Sequence, residues 1–234
     1  VFIAPIAGVI FALEVILGDF TIRTFSPVIL SSVLSSVVSR AILRDQPAFI
    51  VPAYQLVSAW EIPLYILLGG FAGIVAVIFT KTLYMSEDFF DHKVKIPGYL
   101  KPALGGLLLG FAGLAAMNLN YAGFTLLSAP AIFADGYEAV SSVLGGGGIW
   151  YTLLALVVLK ILATNLTLGS GNSGGIFAPS LFMGAMAGGL FGIVVHSLFP
   201  GVTAHPGAYA LVGMAAVVAG TTHATITSIL IVFE

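Results

Sequence analysis

A stretch of the sequence from Ile161 to Phe233 contains no Asp, Glu, Lys or Arg. A water-facing surface of that length is not built without charge, because soluble domains carry about 25% charged residues. Over the whole chain, charged residues make up 8%, hydrophobic residues 59%, and the mean hydropathy is +1.11. The sequence therefore predicts a multi-pass integral membrane protein in contact with the lipid bilayer. We expect it in the cell membrane, plasma or inner.

The composition also argues against several classes of function. A net charge of −2, with eight Lys and Arg residues that form no stripe, predicts no nucleic-acid partner. The absence of Cys excludes a disulfide and a thiolate metal site. His196, His205 and His223 lie in different segments without partners at ligand spacing, so we predict no metal site and interpret them as hydrogen-bonded helix-end residues. We therefore expect neither an enzyme nor a cofactor, apart from a bound ion.

Several apolar runs have the length of about 20 residues that crosses a bilayer as a helix. The charged residues cluster between these runs, and Gly145–Gly148 forms a four-glycine linker for which we predict no fixed conformation. The predicted spans are 1–17, 25–43, 62–85, 99–117, 151–168, 176–199 and 207–233.

Two segments of the chain form an internal repeat. When Phe2–Glu14 (FIAPIAGVIFALE) is set against Thr222–Glu234 (THATITSILIVFE), both segments end on their only acidic residue. Each segment predicts a short apolar helix that starts from a turn. Paired short spans in corresponding halves indicate a transporter-type fold with its binding site between the repeats. We interpret Glu14 and Glu234 as carboxylates at helix ends, solvated or capped by neighbours, in preference to a proton-carrying role.

The stretch GSGNSGGIFAPSLFMGA, Gly169–Ala185, combines turn residues with a following apolar helix. Non-helical backbone survives at membrane depth only when it packs in protein or lines a wet cavity. Ile176 begins the helical pattern, and Pro179 lies in its first turn, where a missing N–H costs little. A helix N-terminus inside the protein carries about half a positive charge and unbonded N–H donors, which together can hold an anion. The lack of a nearby cation suits a conduction path, since partial charges release the anion readily.

Other interpretations of this region remain open from the residues alone. The glycines could simply permit close helix packing, whereas a dinucleotide fingerprint is rejected because no acidic residue follows at the required spacing. Ser173 could be a nucleophile with His196 or His223 as base, which would make the protein an intramembrane serine protease, a remote alternative. Lys160 could extend to a membrane interface or lend positive potential to an anion path.

Gly175-Ile176-Phe177-Ala178-Pro179 resembles the G-x-F-x-P motif of the CLC family of chloride channels and proton/chloride exchangers. FIAPIAGVIFALE near the start and GMAAVVAGTTHATITSILIVFE at the end also resemble family segments. The resemblance implies an all-α membrane fold of tilted, broken helices in inverted repeats. It implies that backbone N–H groups of Ile176 and Phe177 contact a bound chloride, within an anion site formed by Gly175, Ile176, Phe177 and Ala178 and supported by Gly174 and Pro179. It also implies a homodimer through the short helices near 5–14 and 225–234.

The resemblance further implies that the chain is a partial CLC transmembrane domain over residues 1–234. Residues 1–144 correspond to the later part of the first repeat and the start of the second, and residues 145–234 to the central part of the second. The chain opens without Met inside an apolar run, and the family's G-S-G-x-P serine motif and G-[KR]-E-G-P gating-glutamate motif are not found in it. We therefore expect that flanking segments of its own chain are missing.

One position departs from the exchangers of the family. Exchangers usually carry a proton-transferring glutamate directly after the residue that matches Glu14, and here that position is Val15. No proton-pathway residue is therefore predicted, because an intramembrane carboxylate is expensive and usually functional where it occurs. The departure favours passive chloride conduction, with a proton-coupled antiporter of the same fold as the alternative. A second departure, Thr225 in place of a common Pro, is expected to affect only local helix geometry.

Overall fold

A computed structural model describes residues 4–18, 20–43, 51–121, 132–133 and 135–234, and it is all-helical over these ranges. This confirms the predicted fold class. Two of the charged residues that lie between the predicted spans, Arg44 and Asp45, are outside the described residues. So are most residues of a short apolar run at 124–133, which is too short to cross a membrane.

The observed helices follow the predicted spans closely, with two differences: a short helix at Tyr137–Leu144 lies in no predicted span, and the last span is divided. The last predicted span is two helices, because His223 takes a left-handed φ of 56° and Ala224 is non-helical, as the repeat requires. A π-helical turn extends α1 to Leu17, and another extends α3 to Lys93. The helices are α1 Pro5–Phe11, α2 Ile22–Leu43, α3 Glu61–Asp88, α4 Lys101–Tyr121, α5 Tyr137–Leu144, α6 Trp150–Gly169, α7 Phe177–Leu198, α8 Pro206–Thr222 and α9 Thr225–Phe233.

Four of the described helices are long and apolar enough to cross a membrane: those spanning Arg23–Ile42, Glu61–Lys93, Trp150–Gly169 and Phe177–Leu198. They support the prediction of an integral membrane protein. These helices differ in burial. Inside the protein, 61% of the apolar stretch of α7 is buried, whereas none of the apolar stretch of α2 is. Helix α7 is therefore the central span, and α2 lies at the periphery.

Glycines bring α7 and α8 into backbone contact. A Cβ atom on Gly184 would lie 2.5 Å from the carbonyl oxygen of Gly213, and one on Gly213 would lie 2.8 Å from the Cα of Gly188. Small residues at helix interfaces allow this close approach in membranes, where packing replaces the hydrophobic effect as the driving force. The core therefore fixes the direction of α7, and with it the position of the helix end at Ile176.

Polar contacts join α6 to α3 close to the C-terminal end of α6. Ser86 Oγ donates to the carbonyl oxygen of Asn165 at 2.9 Å, and Asn165 Nδ2 donates to Thr82 Oγ1 at 2.8 Å. A Cβ atom on Gly169 would collide with Ser86, so only glycine fits where α6 ends against α3. These contacts set the point from which the glycine-rich loop departs.

The prediction of a linker without fixed conformation at Gly145–Gly148 is wrong. The Gly147 N–H donates to the Ser142 carbonyl at 2.8 Å, and the Gly146 N–H to the Val143 carbonyl at 2.9 Å. Gly146 has a φ of 83°, and a Cβ atom there would collide with the ring of His205. The glycines form a tight turn that packing specifies, which composition alone does not reveal.

Candidate functional site

The first half of the glycine-rich loop ends α6. Gly171 adopts a φ of 86°, its N–H donates to the Leu168 carbonyl at 2.9 Å, and the Asn172 N–H donates to the Thr167 carbonyl at 3.1 Å. This hydrogen-bond pair is a Schellman motif, in which a left-handed residue satisfies the last carbonyls of a helix. Asn172 Nδ2 also donates to the Pro102 carbonyl at 3.0 Å and thereby fixes the loop to α4.

Only the second half of the loop leads into α7. The interpretation that the whole run from Gly169 prepares a helix N-terminus therefore needs correction: Gly169 is still helical, and Ser170, Gly171 and Asn172 close α6. The segment that precedes the helix start is Ser173–Gly175, and its residues are exposed. The sequence alone does not divide the run, because glycine suits both a helix end and a close approach to a ligand.

Helix α7 begins with a residue whose side chain cannot cap it. Ile176 is the N-cap residue, with φ −94° and ψ −19°, and the helix start has no side-chain cap hydrogen bond in the described part of the chain. Pro179 lies in the first turn, as predicted. Ser180 Oγ donates to the Ile176 carbonyl at 2.7 Å and accepts from Thr221 Oγ1 at 3.0 Å, so α8 holds the first turn in place. The positive end of the helix dipole is therefore fixed without a carboxylate on it.

Two cavities flank this helix end. The first, which we name the α1–α2 cavity, measures about 410 Å³ and lies between α1, Phe177, Ile231 and the serine stripe of α2 (Ser32, Ser35, Ser36 and Ser39). The second, the Lys160 cavity, measures about 370 Å³ and is lined by Lys160, Asp135, Ser173 and the loop. Of the predicted anion residues, Phe177 lines the first cavity, and Gly174, Gly175, Ala178 and Pro179 line the second, whereas Ile176 lines neither of the two. Ile176 is 37% exposed.

Lys160 lies inside the protein and does not extend to an interface. It is 3% exposed, its Nζ donates to the Ile132 carbonyl at 3.2 Å, and Nζ lies 4.8 Å from the ring centroid of Phe182. The interpretation as a side chain that extends to the membrane surface is therefore wrong. Lys160 and Asp135 line the same cavity as Gly175, so the expected lack of a cation near this helix end is wrong. A buried cation and a carboxylate both lie beside the start of α7.

The carboxylate of Glu234 caps α1, the helix of the other repeat. Glu234 Oε1 accepts from the Ile6 N–H at 3.0 Å, and Oε2 accepts from the Ala7 N–H at 2.8 Å. Carboxylates at this position satisfy N–H groups that have no partner within the helix, and they also complement the dipole.

The carboxylate of Glu14 caps α9 in the equivalent way. Glu14 Oε1 accepts from the Ile226 N–H at 3.2 Å, and Oε2 accepts from the Thr227 N–H at 2.9 Å and the Thr227 hydroxyl at 2.7 Å. The two repeats thus exchange caps, so both carboxylates are bound by neighbouring groups, as interpreted. The expected place at a helix end is correct for Glu234 but wrong for Glu14, because the π-helical turn that contains Glu14 continues to Leu17. The sequence showed the two repeated carboxylates but not which helix each one caps.

An aromatic contact connects the capped helix α1 to the candidate anion loop. The rings of Phe11 and Phe177 meet edge to face, with centroids 6.2 Å apart and an interplanar angle of 78°. Ile231, the repeat equivalent of Phe11, lines the α1–α2 cavity together with Phe11 and Phe177. Sequence reasoning missed Phe11, because the repeat pairs it with Ile231 and an aromatic residue in an apolar helix gives no separate signal.

The histidines lie at helix ends, as predicted. His196 Nδ1 bonds to Thr203 Oγ1 at 3.1 Å, His205 Nδ1 accepts from the Gly207 N–H at 3.3 Å, and His223 ends α8. The described residues contain no group of three or more metal-ligating side chains. None of the described residues that line the cavity at Ser173 is a histidine, so the structure gives no support to a serine nucleophile.

These features define a class of protein: a polytopic helical membrane protein with paired short helices and an anion-compatible helix end that is exposed beside two cavities. A family model described as "Voltage gated chloride channel" matches residues 1–234, and the chain belongs to this family.

Named relatives match along the whole chain. It is 40% identical over 247 residues to chloride channel protein CLC-f of Arabidopsis thaliana, covering 100% of this chain and 31% of that protein. It is 33% identical over 237 residues to the H(+)/Cl(−) exchange transporter ClcA of Vibrio campbellii, covering 100% of this chain and 48% of that protein. The crystal structure of a slow cyanobacterial Cl−/H+ antiporter has the same fold, with a TM-score of 0.79 at 24% identity, over 99% of this chain and 52% of that one. The chain thus spans about half or less of the length of these proteins.

Proposed function

We propose that this chain forms part of a protomer that carries chloride across the plasma or inner membrane. Backbone amides around Gly175, Ile176, Phe177 and Ala178 hold the passing ion, and Gly174 and Pro179 shape the loop. The observation that carries the proposal is the start of α7 at a residue with no polar side chain, between two cavities inside a membrane protein. Helix N-termini bind anions without a cationic side chain, and weak binding favours release.

We infer that transport by the whole protein is coupled to protons. Several relatives that match the full chain are named H(+)/Cl(−) exchange transporters, and the cyanobacterial protein of the same fold is named a Cl−/H+ antiporter. These names favour exchange over the passive conduction that Val15 suggested, although CLC-f is named a chloride channel protein. Passive conduction stays as the second candidate because Val15, 42% exposed, provides no carboxylate where exchangers of the family usually have one. An exchanger of this sequence would move its proton through other residues.

Flux in liposomes separates the two candidates. The full-length protein is reconstituted, an outward chloride gradient is imposed, and external chloride and internal pH are recorded together. Exchange predicts that protons move against their own gradient when chloride moves down its gradient. A channel predicts chloride flux that stops at the membrane potential it creates, with no change in internal pH. The absence of chloride flux down the imposed gradient would overturn the proposed function.

We also propose a homodimer through the short helices near 5–14 and 225–234. Ile6 and its repeat equivalent Ile226 are 60% and 51% exposed on these helices, which supports an apolar contact face. The chain has no Cys, so Ile6→Cys should give a disulfide-linked dimer in membranes, whereas Leu154→Cys, exposed on α6, should not. Equal cross-linking of both variants would contradict the proposed interface.

A further inference from the structure

We propose that Glu14 and Glu234 are positioning residues for the anion path. Glu234 binds the first turn of α1, and Glu14 binds the first turn of α9. This pair of contacts, which we call the joint, fixes α1 against α9 and holds Phe11 against the ring of Phe177. The inference rests on the proposed function, because Phe177 belongs to the candidate anion loop. It assigns the carboxylates a role that acts through Phe11 and does not involve contact with the ion.

The joint is rigid because the first-turn N–H groups of each helix are bound by a carboxylate from the other repeat. Each carboxylate uses both of its oxygens, on two successive N–H groups, at distances between 2.8 and 3.2 Å. Helix α1 has only seven residues before its π-helical turn. Isolated helices shorter than about 12 residues are marginal, so contacts with other elements set the direction of α1. Glu234 provides the contact at its N-terminal end.

The same joint lies next to the site through Phe11. Phe11 is the last residue of α1, and its ring meets Phe177 at 6.2 Å. The α1–α2 cavity of about 410 Å³ adjoins this contact, so Phe11 has space to move if the angle of α1 changes. A second tie, from Ser32 Oγ to the Pro5 carbonyl at 2.8 Å, keeps α1 attached to α2 when the cap is lost. Loss of the Glu234 cap should therefore tilt α1 without releasing it.

The experiment is a double-mutant cycle between Glu234→Gln and Phe11→Leu in the full-length protein in liposomes. The readouts are chloride flux and the chloride-to-nitrate flux ratio. A glutamine keeps the shape but offers one acceptor and a repelling NH₂ group to the two N–H donors. We expect Glu234→Gln to change the flux ratio by at most about fivefold, the limit reached if the whole contribution of one helix cap separates the barriers for the two anions. Phe11→Leu should give a change in the same direction, and Glu234→Gln should add nothing to it.

Additivity of the two ratio changes, or an unchanged ratio in Glu234→Gln, would overturn the positioning role. Glu14→Gln provides a second, matched variant from the other repeat, and Glu234→Asp should restore part of the ratio. Thermal unfolding in detergent shows which variants fold. If Glu234→Gln does not fold, the flux ratios of Phe11→Leu and Glu14→Gln decide the inference. Failure of the proposed function is distinguishable, since it would appear as absent flux in the unmodified protein or as normal flux in Ile176→Asp.

Discussion

Helices α1, α9 and α7 all begin with backbone N–H groups that can bind an anion. The starts of α1 and α9 use these groups in the opposite way to the start of α7. Ala4 and Ala224 precede the capped helices with nearly identical conformations, φ −108° and ψ 85° against φ −104° and ψ 78°. Both helices then bind a glutamate of the other repeat. Helix α7 starts instead from Ile176, after exposed glycines, without a side-chain cap in the described part of the chain.

The difference is between a permanent anion and an exchangeable one. A carboxylate on a helix end makes a fixed joint, because the anion is covalently part of the protein and cannot leave. The end of α7 has the same partial positive charge, but Ser180 and Thr221 fasten it through carbonyl and hydroxyl groups that carry no charge. A helix end in a membrane protein can therefore serve structure or transport, according to whether its anion belongs to the protein or comes from solution.

The largest expected effect comes from converting the end of α7 into the capped kind. Ile176→Asp places a carboxylate at the N-cap, where Asp is a preferred residue worth about 1 kcal/mol to a helix. We expect stability to stay the same or rise while chloride flux in liposomes falls at least about 100-fold, because the introduced anion occupies the proposed site and repels chloride. Fluorescence quenching by chloride and thermal unfolding measure the two quantities.

Ile176→Asn is the matched control, since it offers a cap of similar shape without charge. Its flux should fall much less than that of Ile176→Asp. Equal losses in the two variants would show that the side chain blocks the path by its shape, and normal flux in both would remove the amides near Ile176 from the path.

The next prediction tests whether the charge of Lys160, in the Lys160 cavity, contributes to anion transport at the start of α7. Lys160→Met keeps the length of the side chain and removes the charge. A unit charge within about 10 Å of an ion is worth about 1–2 kcal/mol at an effective dielectric constant of about 20. We therefore expect chloride flux to fall about tenfold in Lys160→Met, and much less in Lys160→Arg, which keeps the charge. Unchanged flux in Lys160→Met would leave Lys160 with the structural role of binding Ile132 and Phe182.

The sequence predicts the membrane spans, the helix start at Ile176 and the two repeated carboxylates, because apolar length, turn residues and a repeated acidic position are local signals. It does not predict that Glu14 caps α9 and Glu234 caps α1, since that pairing depends on how the repeats pack. It also does not divide the glycine-rich run into the end of α6 and the start of α7. Phe11 escapes notice for a related reason: an aromatic residue in an apolar helix has no distinctive pattern until its neighbour is known.

Gly171→Ala should affect stability more than transport. The φ of 86° at Gly171 belongs to the left-handed region that disfavours a Cβ atom, whereas Gly175 has no left-handed φ and a Cβ atom added there would meet open space. We expect Gly171→Ala to lower the free energy of unfolding by about 1–2 kcal/mol, and Gly175→Ala to lower it by less than about 0.5 kcal/mol. Chemical denaturation in detergent measures both, and equal costs would contradict the assignment of Gly171 to the end of α6.

An effect on stability of similar size distinguishes the two capped ends from each other. Thr227 donates to Glu14 through its N–H and its hydroxyl, whereas its repeat equivalent, Ala7, donates to Glu234 through its N–H alone. Thr227→Val removes that hydroxyl at nearly constant volume, and it should cost about 1–2 kcal/mol of unfolding free energy, because the lost hydrogen bond has a charged acceptor. In a Glu14→Gln background the cost should shrink, since the acceptor is no longer charged, and in a Glu234→Gln background it should persist in full. A cost that is the same in all three backgrounds would mean that the Thr227 hydroxyl does not act through the carboxylate of Glu14.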